Sequence, residues 1–164
     1  MTIAQEMLAE MQQEGIVTRK MLALVPLDNK DWVPHEKSMK LLPLARHLAE
    51  IQGWPKETVE QDQLDFANMD YTPPEVNSTE DLLAIFDKGM AKAKEILERT
   101  SDADLDKPWS MRNGEIIYFT MPKKQVMRTW VLNHTVHHRA QLGVYLRLLG
   151  VAIPGTYGPS ADEG

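Results

Sequence analysis

The chain has 164 residues, of which 43% are hydrophobic and 26% charged, the proportions of an ordinary water-soluble globular domain with a core of its own. A net charge of −6 argues against a nucleic-acid surface, which wants clustered Lys and Arg; pairs such as Lys123-Lys124 are small and isolated. The absence of cysteine excludes disulfides, thiolate metal ligands and a protein-borne thiol nucleophile, so any thiol chemistry has to use a small molecule.

Met7, Leu8, Met11, Ile16, Met21, Leu22 and Val25 trace a helical stripe over about Ile3 to Val25, weakened in its middle by Gly15 and ended by Pro26. After a loop containing His35, read as solvated, a second helix is predicted from beyond Ser38 to about Trp54. Leu44, Leu48 and Ile51 share a face with His47 there, and Pro55 closes the helix. Lys56 to Asn77 reads as irregular, with a short helical piece near Val59 to Phe66. Ser78 is a good N-cap, with acids following, for a third helix that ends near Thr100 and buries Leu82, Leu83, Ile85, Phe86, Met90, Ala93 and Leu97. Asn113-Gly114 between β-leaning runs signals a small hairpin over Trp109 to Thr120. Pro122 suits the first turn of a last helix, running to about Leu149 and stopping at Gly150. The turn-rich tail from Val151 to Pro159 folds back over the body. The expected fold is all-α: one domain over 1–164, an antiparallel four-helix bundle with a small β-hairpin between its third and fourth helices.

No apolar run is long enough to span a bilayer, and the first residues lack the basic start and apolar stretch of a signal peptide. The expectation is a cytoplasmic protein with no membrane and no nucleic-acid partner.

Chemistry concentrates in the last helix, at Asn133-His134-Thr135-Val136-His137-His138-Arg139-Ala140-Gln141-Leu142. With His134 as zero, Met127, Trp130, His138, Gln141, Tyr145 and Leu148 fall within about 40° of it, and Arg139 falls about 140° away, towards solvent. His134 and His138 thus sit one turn apart in an otherwise apolar stripe. Two adjacent imidazoles in a core need partners, and a shared cation satisfies both. A catalytic site with an open position requires a third protein ligand. His47, on the apolar face of another helix, is the natural candidate, and three neutral nitrogens suit zinc or nickel. A lone core histidine is otherwise a hydrogen-bonded packing residue, and His-x-x-x-His here lacks the Glu of the zinc-protease motif. His137, about 60° to the other side, could replace one of the pair, but reads better as a flank or supporting residue. Gln141 could orient a ligand or simply close the stripe. Glu50, a turn beyond His47, could accept a ring N–H or serve as a base, with exposure the simpler reading. Trp130 and Tyr145 read as core. No catalytic acid or base can be named.

The segments His134-Thr135-Val136-His137-His138-Arg139-Ala140-Gln141-Leu142, Tyr145-Leu146-Arg147 with Gly150, Leu44-Ala45-Arg46-His47-Leu48-Ala49-Glu50, and the closing Pro154 to Asp162 resemble the DinB/YfiT-like family of metal-dependent proteins over essentially the whole chain. The resemblance implies a four-helix bundle, a metal held by His47, His134 and His138, nickel or zinc as the ion, and homodimers. It also implies, from better-understood relatives, a low-molecular-weight thiol as co-substrate. The leading expectation is therefore a divalent-metal-binding enzyme that activates a small thiol or water, of S-transferase or hydrolase type and acting on a small-molecule substrate. The alternatives are a non-catalytic metal-binding helical dimer and a small-molecule binding protein.

Overall fold

The computed structural model describes residues 1–163. It is mostly helical, with one small sheet. Helix α1 (Ile3–Leu22) opens on a capping box: Thr2 Oγ1 accepts from the Gln5 amide and the Gln5 side chain accepts from the Thr2 amide. Its buried face is Ala4, Met7, Leu8, Met11, Gly15, Thr18, Met21 and Leu22. Ile16, expected on that face, is exposed; Gly15 is buried instead, and a Cβ there would stand 3.2 Å from Met90 Cε, so the glycine brings α1 close to its neighbour.

Helix α2 (Leu41–Glu50) is shorter than expected. A single 3₁₀ turn at Ile51–Gly53 redirects the chain into α3 (Trp54–Glu60). Pro55 therefore opens a helix and does not close one, because its missing N–H is harmless in a first turn. This displaces the short helix predicted near Val59 to Phe66, most of which becomes β1 (Gln63–Asp65) and its approach. Helix α4 (Thr79–Arg99) starts where Ser78 places it: Ser78 Oγ accepts from the Asp81 amide, and Asp81 accepts from the Ser78 amide. The four-residue α5 (Asp102–Leu105) follows. Strands β2 (Pro108–Asn113) and β3 (Ile116–Pro122) form the hairpin, with Gly114 at φ 56° in its turn. The sheet has a third strand that the sequence reading missed: β1 pairs in parallel with β2, Leu64 opposite Met111.

The last helix is continuous but not uniform. Helix α6 (Lys123–Val126) passes into a π-helical segment, Met127–Asn133, and then into α7 (His134–Leu148). Met127, Val131 and Leu132 are the buried residues of the π segment, and Thr135 continues their line into α7. On α7 the buried side comprises Thr135, His138, Arg139, Leu142, Gly143, Tyr145 and Leu146, centred about 100° from His134. His134 and His138 thus line the edge of the buried face, not its middle. For the same reason Leu148, expected inside, is exposed, and Arg139, expected in solvent, is 2% exposed.

Helices α1 and α2 each pack against both α4 and α7. The core between them divides into two apolar tiers. One holds Leu22, Leu44, Leu48, Phe86, Leu142 and Leu146; the other holds Met7, Met11, Ile51, Leu97, Met127 and Val131. On α1 and α7, polar groups occupy the level between the tiers. Arg139 pairs there with Glu14, donates to Thr18 Oγ1 and to Tyr157 Oη, and so anchors the tail that folds back over α1 and α7. Gln52 donates to Leu48 O and to Thr135 Oγ1. These bonds offset the desolvation of every polar group named. The histidines of α7 lie at this same level. No helix among the described residues is long and apolar enough to cross a membrane.

Candidate metal centre

His47, on the last turn of α2, meets His134 and His138 at the start of α7, and one ring nitrogen from each lies within 4.8 Å of the others. Nε2 of His134 is 2.7 Å from Nε2 of His138 and 3.4 Å from Nε2 of His47. Two of the outward nitrogens are engaged. His134 Nδ1–H donates to the Trp130 carbonyl at 3.2 Å, and His138 Nδ1–H donates to Gln141 Oε1 at 2.7 Å. A carbonyl only accepts, so His134 carries its proton on Nδ1 and turns an Nε2 lone pair inwards; the Gln141 carbonyl oxygen does the same for His138.

Two lone pairs facing each other at 2.7 Å repel unless something positive stands between them. A proton is disfavoured. Burial lowers the affinity of all three rings for a proton, and neighbouring imidazoles lower it further; His47 falls to about 4. The hydrogen bonds to Trp130 and Gln141 oppose this without reversing it. Neutral, converging nitrogens are the donor set that a borderline divalent cation takes. Two nitrogens each about 2.1 Å from one ion lie roughly 3.4 Å apart at the tetrahedral angle, which the His47–His134 pair already matches and the tighter pair would open to reach.

The other residues singled out in the sequence divide. Gln141 is at the cluster, on His138. His137 is exposed, with its ring 4.9 Å from that of His138, a flank of the three. Glu50 does not touch a ring: both its oxygens accept from Tyr71 Oη at 2.9 Å. Burial raises the Glu50 pKa, and burial together with the Glu50 carboxylate pushes Tyr71 up to about 12. His35 is exposed in its loop and is not one of the clustered rings, and its Nδ1 accepts from the Lys37 amide.

The sequence reading missed Trp54. Its ring lies 5.4 Å from those of both His47 and His134. The available signal was spacing: Trp54 is seven residues after His47, two helical turns on the same side. A shallow groove on the opposite side of α7, lined by Ala140, Gly143, Val144 and Tyr157 among others, contains none of the three imidazoles.

Three solved structures share this fold. A DinB-like protein, YjoA, from Bacillus subtilis aligns with a TM-score of 0.71 at 19% identity, covering 92% of this chain and 97% of its own. A DinB-like protein from Bacillus cereus aligns at 0.69 with 22% identity, covering 93% and 97%. A protein assigned to the DinB family from Exiguobacterium sibiricum aligns at 0.68 with 19% identity, covering 100% and 99%. No functionally curated protein matches the sequence. The sequence profile of the DinB family matches residues 1–164, and the chain belongs to that family.

Proposed function

We propose that this protein is a metal-dependent enzyme in which His47, His134 and His138 hold one divalent ion, nickel or zinc, on the scaffold of a four-helix bundle. The observation that carries the reading is the convergence of three Nε2 atoms, two of them turned inwards because Trp130 O and Gln141 Oε1 accept from the outward nitrogens of His134 and His138. Three protein ligands leave a position for an exogenous one, the arrangement of catalytic rather than structural zinc sites. The ion would supply Lewis acidity, lowering the pKa of a small thiol or water enough to give a nucleophile near neutral pH. The protein lacks cysteine, so a thiol substrate comes from solution. The histidines are ligands in this reading, not acid–base groups. Gln141 and the Trp130 carbonyl hold two of the rings in register. We further propose that the molecule works as a homodimer, as the family resemblance implies.

The test is thiol consumption with a panel of electrophiles, using protein loaded with zinc or nickel and the same protein stripped with a chelator. Turnover that disappears on stripping and returns on reloading supports an S-transferase. Metal-dependent hydrolysis without thiol supports the water branch. A fully loaded protein with neither activity leaves a non-catalytic metal-binding protein and overturns the enzyme reading.

A further inference from the structure

Two aromatic rings border the histidines, and a third stacks on one of them. Trp54 opens α3 and contacts His47 and His134. Trp130, in the π segment, meets His134 edge-on at 5.9 Å. Phe119 of β3 stacks on Trp130 at 5.5 Å, with 11° between the ring planes. All three keep part of their surface in solvent, whereas Phe86 and Trp109 are buried. Indole surface left in water forgoes the free energy that its burial releases, and flat rings reward a flat partner further.

We propose that the small molecule reaching this centre carries a flat apolar group, aromatic or conjugated, that packs on Trp54 and on the Trp130–Phe119 ledge. This inference rests on the metal-centre reading above. The ledge acts as a specificity determinant. It selects the body of the ligand, while the imidazoles serve its donor atom.

Cobalt(II) tests this without turnover, because coordination of a thiolate adds a charge-transfer absorption band; the thiol proton passes to the buffer. The probes are benzyl mercaptan, 2-mercaptoethanol and mercaptoacetate, titrated into cobalt-loaded protein. Benzyl mercaptan should bind about tenfold more tightly than 2-mercaptoethanol. Trp54→Ala and Phe119→Ala should each remove most of that preference at unchanged cobalt content, and Trp54→Phe should keep it. Equal affinities, a preference for mercaptoacetate, or a preference that survives both alanine variants would overturn the inference while leaving the metal centre standing. Protein that takes up no cobalt would overturn the metal centre itself, and this inference with it.

Discussion

His134 donates its ring Nδ1 proton to the main-chain carbonyl of Trp130, the residue four positions before it. In an α-helix that carbonyl would accept the His134 amide. Here the amide is bonded to Val131 O, at the point where the π segment gives way to α7. The irregular turn frees an acceptor for a side chain, and the acceptor sets the tautomer. Spectra of ¹⁵N-histidine-labelled, zinc-loaded protein should therefore show His134 and His138 protonated at Nδ1 and coordinated through Nε2. Coordination through Nδ1 at either residue would break the link between the turn and the site.

Gln141 performs the same service for His138 from one turn further along. Gln141→Leu removes the acceptor and keeps the size. We expect metal affinity to fall by about 10–100-fold, the usual effect of losing a partner behind a ligating histidine, with the helical circular dichroism unchanged. Competition against a chromogenic chelator measures it. Undiminished affinity would reduce Gln141 to a bystander.

Low proton affinity of the three rings gives a pH signature. Their folded pKa values lie below the ordinary 6.5, with His47 at about 4. The unfolded chain therefore binds more protons than the folded one as pH falls below 6.5. The contribution of these groups to stability is present above 6.5 and is lost between 6.5 and about 4, so the metal-free protein should melt at progressively lower temperature across that window. Zinc retention should decline over the same window as protons compete for Nε2. Thermal melts and dialysis against buffers from pH 7.5 to 4 read both, and a flat profile in both would speak against buried imidazoles.

Arg139 is a buried cation, paired with Glu14 and bonded to Thr18 and Tyr157. Arg139→Met strands the Glu14 carboxylate, which is 17% exposed. Breaking such a pair costs about 3 kcal/mol, or a Tm lower by about 6–12 °C for a chain of this size. Adding Glu14→Gln should recover part of the loss. A single variant as stable as the parent would show that the ion pair is energetically idle.

Most of the long helices were legible because local chemistry and periodicity agreed. The Ser78 cap and the Asn113-Gly114 turn fixed their neighbourhoods without help from tertiary contacts. The corner after Glu50 was not legible, because Pro55 reads equally as a helix stop or as the first turn of a new helix, and only packing decides. Strand β1 is three residues long and exists because β2 is there to pair with it, a non-local cause that leaves no pattern in Gln63-Leu64-Asp65. The histidines were found through their four-residue spacing, but their place on the helix was not. A uniform 100° per residue centred the buried face on His134, whereas the fold turns it towards Thr135, Arg139 and Leu142, an arrangement that needs Glu14 to be waiting on α1. Trp54 carried a readable signal, two helical turns after His47, whereas Phe119 comes from a strand whose position depends on the sheet, so its approach to Trp130 could be seen only in three dimensions.

Elemental analysis addresses the central claim most directly, on protein purified without a chelating affinity step and compared with His47→Ala and His138→Ala. The account calls for about one nickel or zinc ion per chain in the parent, from its single ligand set, and for loss of most of it in both variants while their helical content persists. Full occupancy in either variant, or a parent that stays metal-free after incubation with both ions, would contradict it.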